Sequence, residues 1–280
     1  MDTPLRRPRC CVGLINRIWG SHVFSVSKCG LAEVLISDAE IVDFAKSSCG
    51  VVAMKSLKFF LDQAFPFPVR LAKNLRILSE KLGQRRSIGY GRPVDSEGMS
   101  IPWYTYPTIE FLKQFEFSKC SVFEFGAGNS SRFWAGRTKR VVSVESDPRW
   151  FDSLKGDIGR NQTLILRTEK EQYAHSIVEQ GEFFDIIVID GMWRYACAAQ
   201  ARPLLAPGGL LILDNSDWYP NTARFLRETQ LFQIDFSGFG PINGYTWTTS
   251  IFLSADTRLQ DRYRNPSPVG GIEQVADDDQ

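Results

Sequence analysis

The chain is poorest in histidine, with only His22 and His175 among 280 residues. Its six cysteines do not compensate. Cys10, Cys11, Cys29 and Cys49 fall in the first 50 residues, Cys120 and Cys197 fall in apolar runs, and no pair has metal-ligand spacing. This argues against a structural zinc site and for reduced, buried thiols in a cytosolic protein. No apolar run approaches the ~18 residues of a membrane-spanning helix, so no transmembrane segment is expected. Acidic residues are absent from positions 3 to 32, where Arg17 interrupts the apolar stretch too early for a secretory signal. A basic tail on a cytoplasmic protein is the reading favoured; an organelle-targeting segment is the alternative. Net charge is only +1, but residues 1 to 90 carry 14 Lys and Arg against 7 Asp and Glu. The remainder is mildly acidic, which points to a basic appendage in front of an acidic domain.

What is present falls into four regions: a basic helical region over 1–90, a linker or lid over 91–106, the main domain over 107–256, and a polar acidic tail over 257–280 expected to be disordered. Val69 to Leu82 places Val69, Leu71, Leu75, Leu78 and Leu82 near one face of a helix. That helix either packs on the main domain or meets a membrane surface or partner. Gly83 to Ser100 is rich in Gly, Arg, Ser and Pro and reads as a linker. In Ile101 to Pro107, Trp103, Tyr104 and Tyr106 read equally as a lid or as an anchor on the core.

From Pro107 onward, short apolar runs alternate with stretches long enough for crossover helices: SVFEF at 121, RVVSVE at 140, TLILR at 163, FDIIVID at 184 and GLLILDN at 209. Such alternation predicts a parallel sheet covered on both faces. Leu231 to Phe236 then alternates apolar and polar, a loop with Asn243-Gly244 follows, and Thr246 to Leu253 is apolar. That predicts a terminal antiparallel pair.

The glycine turn after the first strand, Glu124-Phe125-Gly126-Ala127-Gly128-Asn129-Ser130-Ser131, lies where open α/β sheets bind ligands. Glu145 ends the second strand, 21 residues after Glu124, placed to accept two ribose hydroxyls. A dinucleotide fingerprint wants a third glycine where Ser131 stands. An acid just before the first glycine repels phosphates and suits a ligand bearing an ammonium group.

These motifs, with Asp190 ending FDIIVID and Pro207-Gly208-Gly209 preceding LLILDN, resemble the class I S-adenosylmethionine-dependent methyltransferases over about residues 107 to 254. The resemblance implies a Rossmann-like, seven-stranded, mostly parallel sheet with an antiparallel C-terminal hairpin. It implies S-adenosylmethionine held by Glu124, Gly126, Gly128, Ser130, Glu145 and Asp190, with Thr168 or Glu169 near the adenine by position. It further implies a small-molecule or glycan acceptor methylated at oxygen, with no nucleic acid, since no Asn-Pro-Pro-aromatic signature occurs.

Asp190, Asp214 and Asn215 end adjacent strands, a hard-oxygen set suited to Mg²⁺. The set resembles the metal site of cation-dependent O-methyltransferases, although Trp193 stands where those enzymes carry a lysine. The alternatives are a metal-free carboxylate base, Asp190 or Asp214, with Trp193 as a wall over substrate or cofactor, and simple strand-end capping. Trp218, Tyr219, Phe239, Tyr245 and Trp247 hint at a ring-shaped acceptor. His175 is read as a surface residue without chemistry. Aminopropyl transfer and a partner-docking protein that keeps the fold without catalysis are the competing functions.

Overall fold

The computed structural model describes residues 63–259, 262–264 and 268–272. The four N-terminal cysteines, His22 and most of the basic region lie outside the described residues. The chain divides into two compact units, 1–69 and 70–280, and only 63–69 of the first is described.

Helix α1 (Pro66–Arg76) continues into a wide π-helical turn (Ile77–Lys81). Of the predicted stripe, Leu71 and Leu75 are exposed, whereas Leu78 and Leu82 pack against the main core. The expected linker is largely ordered. It contains helix α2 (Gln84–Tyr90), whose buried Ser87 hydroxyl donates to the Val94 carbonyl and accepts from the Val94 amide. Two polar bonds at one buried serine fold the Gly- and Arg-rich segment back on itself, which composition alone hides.

Helix α3 (Tyr106–Lys113) leads into the sheet. Strand β1 (Ser121–Phe125) is followed by α4 (Asn129–Ala135), β2 (Arg140–Glu145) by α5 (Pro148–Leu154), and β3 (Gln162–Leu166) by α6 (Lys170–His175). Then come β4 (Phe184–Ile189), α7 (Arg194–Ala201), β5 (Leu205–Leu213), α8 (Pro220–Glu228), β6 (Phe232–Gly238) and β7 (Trp247–Leu253). The strand order is β3-β2-β1-β4-β5-β7-β6, parallel except for β7. The fold class and terminal hairpin agree with the sequence reading. One detail differs: Pro207-Gly208-Gly209 sits inside β5 as a bulge, because the register shifts between Phe184↔Leu205 and Ile186↔Leu210.

Strand residues alternate between two core layers. At the carboxyl halves of β1, β4 and β5, odd positions (Phe123, Phe125, Ile187, Ile189, Leu211, Leu213) meet Tyr173, Ala198 and Leu226 of α6, α7 and α8. Even positions (Val122, Ile186, Val188, Leu210, Ile212) meet Ile109, Leu112, Phe133 and Trp134 of α3 and α4. This period of two fixes the site. Glu124, Asp190 and Asp214 are all even, so all three carboxylates project from one face at the carboxyl ends of β1, β4 and β5.

Contacts with the core continue past residue 256. Leu259 packs on the second core layer and Tyr263 bridges to Phe115. No helix among the described residues is long and apolar enough to cross a membrane.

Candidate functional site

The glycine turn brings two backbones together. Gly126 has φ +97°, and a Cβ there would lie 3.1 Å from the Gly191 backbone. Gly191 is as constrained: its Cβ would stand 2.0 Å from the Tyr173 hydroxyl. Glycine at 191 was missed from sequence, because a lone glycine after a strand reads as an ordinary turn. The Tyr173 hydroxyl is buried without a hydrogen-bond partner among the described residues, so Gly191→Ala and Tyr173→Phe should couple. The glycine substitution alone is expected to cost about 1–3 kcal/mol. Tyr173→Phe should be nearly neutral and should recover much of that loss in the double variant, as urea unfolding would show. Additive effects would contradict the contact.

Glu124 is fully buried. Its Oε2 accepts from the hydroxyls of Ser131 and Ser143, while Oε1 has no hydrogen-bond partner among the described residues. Burial pushes this carboxyl up to about 7 against the pull of Ser130, Ser131 and Ser143. Ser131 also accepts from the Gly128 amide at 3.0 Å, tying the glycine turn to α4. Ser130 is buried in the first turn of α4, near Glu124. Glu145 accepts three backbone amides: Ser146 and Asp147 at Oε1 (2.7 and 2.9 Å) and Ala127 at Oε2 (3.2 Å). Trp150 caps the turn by donating to the Ala127 carbonyl. Thr168 and Glu169 are exposed, just before α6.

The register pair Ile189↔Leu213 sets Asp190 beside Asp214 on adjacent strands. Their environments differ. Asp214 is buried and its Oδ1 accepts from Trp247 Nε1 (3.1 Å) and the Thr249 hydroxyl of β7. Burial, with Asp190 nearby, raises its pKa well above the usual carboxylate range. Asp190 is 22% exposed and pairs with Arg194, Nη2 to Oδ1 at 3.1 Å. Burial raises it to about 6, against the arginine. The Tyr104 hydroxyl is buried close enough to feel Glu124, Asp190 and Asp214.

The metal expectation finds no support among the described residues. Arg194 Nη1 donates to Asn215 Oδ1 (3.1 Å) and Nη2 to Asp190 Oδ1, so a guanidinium occupies the side chains assigned to Mg²⁺. Asp214 turns its Oδ1 to β7 instead. Among the described residues no three acidic, histidine or cysteine groups could hold a metal. Arg194 was missed from sequence; its only signal is its place four residues after Asp190, where one helical turn allows an ion pair. Trp193 also differs from expectation. At φ +51° it turns its ring edge-on to Tyr173, 5.4 Å between centroids, against the core rather than over a ligand.

The Ile101–Pro107 segment is chiefly an anchor. Tyr104 and Tyr106 are buried, the Thr105 hydroxyl donates to the Phe236 carbonyl and the Tyr106 amide to that of Phe239. Trp103 is exposed and donates to Asn243 in the β6–β7 loop. A line of aromatics runs outward from Asp214: Trp247, Tyr245 at 6.0 Å and Trp218 at 6.2 Å, the last two half-exposed. His175 is exposed, as expected.

The parallel sheet with one reversed strand, β7, between β5 and β6 is the class I methyltransferase fold. No family model matches the chain, and no curated protein does either. Solved structures are similar at low identity. Precorrin 8W decarboxylase from Methanobacterium thermoautotrophicum is 17% identical, with a TM-score of 0.40, over 56% of this chain and 94% of that one. Precorrin-6y C5,15-methyltransferase from Geobacter metallireducens is 15% identical at TM-score 0.41, over 53% and 87%. Spermidine synthase from Thermotoga maritima is 12% identical at 0.41, over 52% and 56%. At these values the likeness concerns the shared sheet, and the fold is read from its strand order.

Proposed function

We propose that the protein is an S-adenosylmethionine-dependent methyltransferase acting on a small molecule or glycan at oxygen. The observation that carries this is Glu124: a buried carboxylate whose Oε1 has no hydrogen-bond partner among the described residues, behind a turn where Gly126 adopts φ +97°. Burying an unpaired charge is costly, so this site favours a cationic ligand, and an ammonium meets that need. A pyrophosphate would be repelled there, and no third glycine makes room for it. Glu145 Oε2, with a single amide donor, keeps acceptor capacity for a ribose hydroxyl. Gly126 and Gly128 line the methionine portion, Ser130 supports the turn, and Glu169 stands toward the adenine.

The cofactor supplies a methyl group made electrophilic by its sulfonium. Of the three carboxylates, Glu124 is assigned to the cofactor's ammonium and Asp214 is engaged by β7. Asp190 alone is accessible, and its pKa near neutrality suits a general base. With that methyl donor bound, Asp190 would take the proton of the acceptor hydroxyl as it is methylated. The half-exposed Trp218 and Tyr245 offer ring faces to the acceptor. The same concentration of carboxylates disfavours a phosphodiester chain.

Calorimetry tests this. S-adenosylmethionine and S-adenosylhomocysteine should bind at micromolar levels, and NAD should not. Glu145→Ala should weaken binding about 10- to 100-fold through loss of charge-assisted hydrogen bonds. Binding of NAD alone would overturn the assignment; equal affinity in both proteins would remove Glu145 from the site.

A further inference from the structure

A guanidinium carries five N–H donors in a fixed fork and no acceptor. At Arg194 all five are used. Nε donates to the Gly191 carbonyl at 3.0 Å, Nη1 to the Asp214 carbonyl and to Asn215 Oδ1 at 3.1 Å, and Nη2 to the Asp190 carbonyl and Oδ1 at 3.0 and 3.1 Å. The side chain is 8% exposed, and the guanidinium carbon lies 4.4 Å from the centroid of the Tyr219 ring. Five oxygens, three of them backbone carbonyls, thus converge on one buried cation. They come from the two residues that follow each of β4 and β5. Such a set of hard oxygens otherwise suits a divalent metal. Two left-handed residues flank it, Trp193 at φ +51° and Asn215 at φ +48°. Neither is glycine, so the surroundings must hold both in place.

We propose that Arg194 is a built-in cation in the place of a metal ion: it positions Asp190 and Asn215 at the reacting end of the crevice and makes the protein independent of divalent metal. The inference rests on the methyl-transfer reading only for what the crevice does; the cage of five oxygens stands apart from it. Because every donor is occupied, Arg194 cannot also bind an anionic acceptor. It is a positioning residue, acting through Asp190. A lysine in its place would keep the charge but make at most three bonds in another geometry.

The test uses the full-length protein with Mn²⁺ as the metal probe and guanidinium ion as the rescue probe. Wild type should show no Mn²⁺ binding that Asp190→Asn removes, by paramagnetic resonance, and chelator should leave its affinity for S-adenosylhomocysteine unchanged. Arg194→Ala should lower that affinity about tenfold or more and lower the thermal midpoint. Guanidinium, at concentrations that leave wild type unchanged, should restore most of both in Arg194→Ala; methylammonium should restore less. A side chain that served only as packing would not be replaced by a small ion. Should Arg194→Ala fail to fold, Arg194→Lys gives the reading, with affinity between wild type and a tenfold loss.

Mn²⁺ bound in wild type and lost in Asp190→Asn would overturn the proposal, as would failure of guanidinium to rescue or wild-type affinity in Arg194→Lys. If wild type binds no S-adenosylhomocysteine, the methyl-transfer reading fails instead. The Mn²⁺ and thermal readings still decide on Arg194.

Discussion

Asp190→Asn is expected to lower methyl transfer by about 10²- to 10⁴-fold while leaving affinity for S-adenosylhomocysteine within a few-fold. The amide oxygen can still accept from Arg194 Nη2, so the loop after β4 keeps its main tie and only the proton acceptor is lost. Asp214→Asn should behave differently. Its Oδ1 is engaged by Trp247 and Thr249, both of which an amide oxygen can still accept, so turnover should change little. A Mg²⁺-binding Asp214 would give the opposite ranking. Turnover should also follow the ionisation of Asp190, which burial raises to about 6. A base works only when unprotonated, so the rate should be level above that value and fall about tenfold per pH unit below it. Release of S-adenosylhomocysteine with an acceptor bearing vicinal hydroxyls would report all three. Equal activity in Asp190→Asn and wild type would remove Asp190 as the base.

The parts of this site that could be read from sequence are those that depend on neighbours in the chain. The glycine turn, Glu124, Glu145 and the acid ending β4 sit at strand ends, and strand ends follow from apolar runs and their spacing. The period of two even implies that Glu124, Asp190 and Asp214 share a face. The parts that could not be read depend on distant partners. Asp214 looks like a free strand-end acid until β7 pairs antiparallel with β5, bringing Trp247 and Thr249 onto it from 33 and 35 residues away. Arg194 looks like a solvent-facing residue opening a helix until the left-handed Trp193 and Asn215 turn both loops onto its guanidinium. A metal site and an arginine cage draw on the same oxygens, so residue types at strand ends do not separate them. Helix α2 was obscured by Gly and Arg content, and it is held by the contact of Ser87 with Val94 rather than by propensity.

Glu124→Gln should make the protein more stable at pH 8 and a poorer binder of its cofactor. The sign follows from linkage. In the unfolded chain this carboxyl titrates near 4.5, and in the folded protein burial raises it to about 7. Between those values the folded state holds more protons than the unfolded state, so stability falls as pH rises. Below 4.5 both states are protonated and above 7 both are ionised, so the penalty is complete at pH 8, about 3 kcal/mol for Glu124 alone. Asp190 adds a penalty of the same sign between 3.8 and about 6. Glutamine keeps an oxygen to accept from Ser131 and Ser143 and carries no charge into the core. Its amide gains no partner where Oε1 had none, which offsets part of the benefit and leaves about 1–2 kcal/mol. Urea midpoints for the two proteins should therefore lie close at pH 5 and separate at pH 8, with the variant higher. The cofactor reading requires the opposite effect on binding, because an ammonium loses its carboxylate: about 10- to 100-fold weaker affinity for S-adenosylhomocysteine. Wild type should also release protons as it binds near pH 7, since the incoming cation favours ionised Glu124, and the variant should release fewer. Calorimetry in buffers of different ionisation enthalpy measures that difference. A variant that is both less stable at pH 8 and unimpaired in binding would mean that Glu124 braces the turn and meets no ligand.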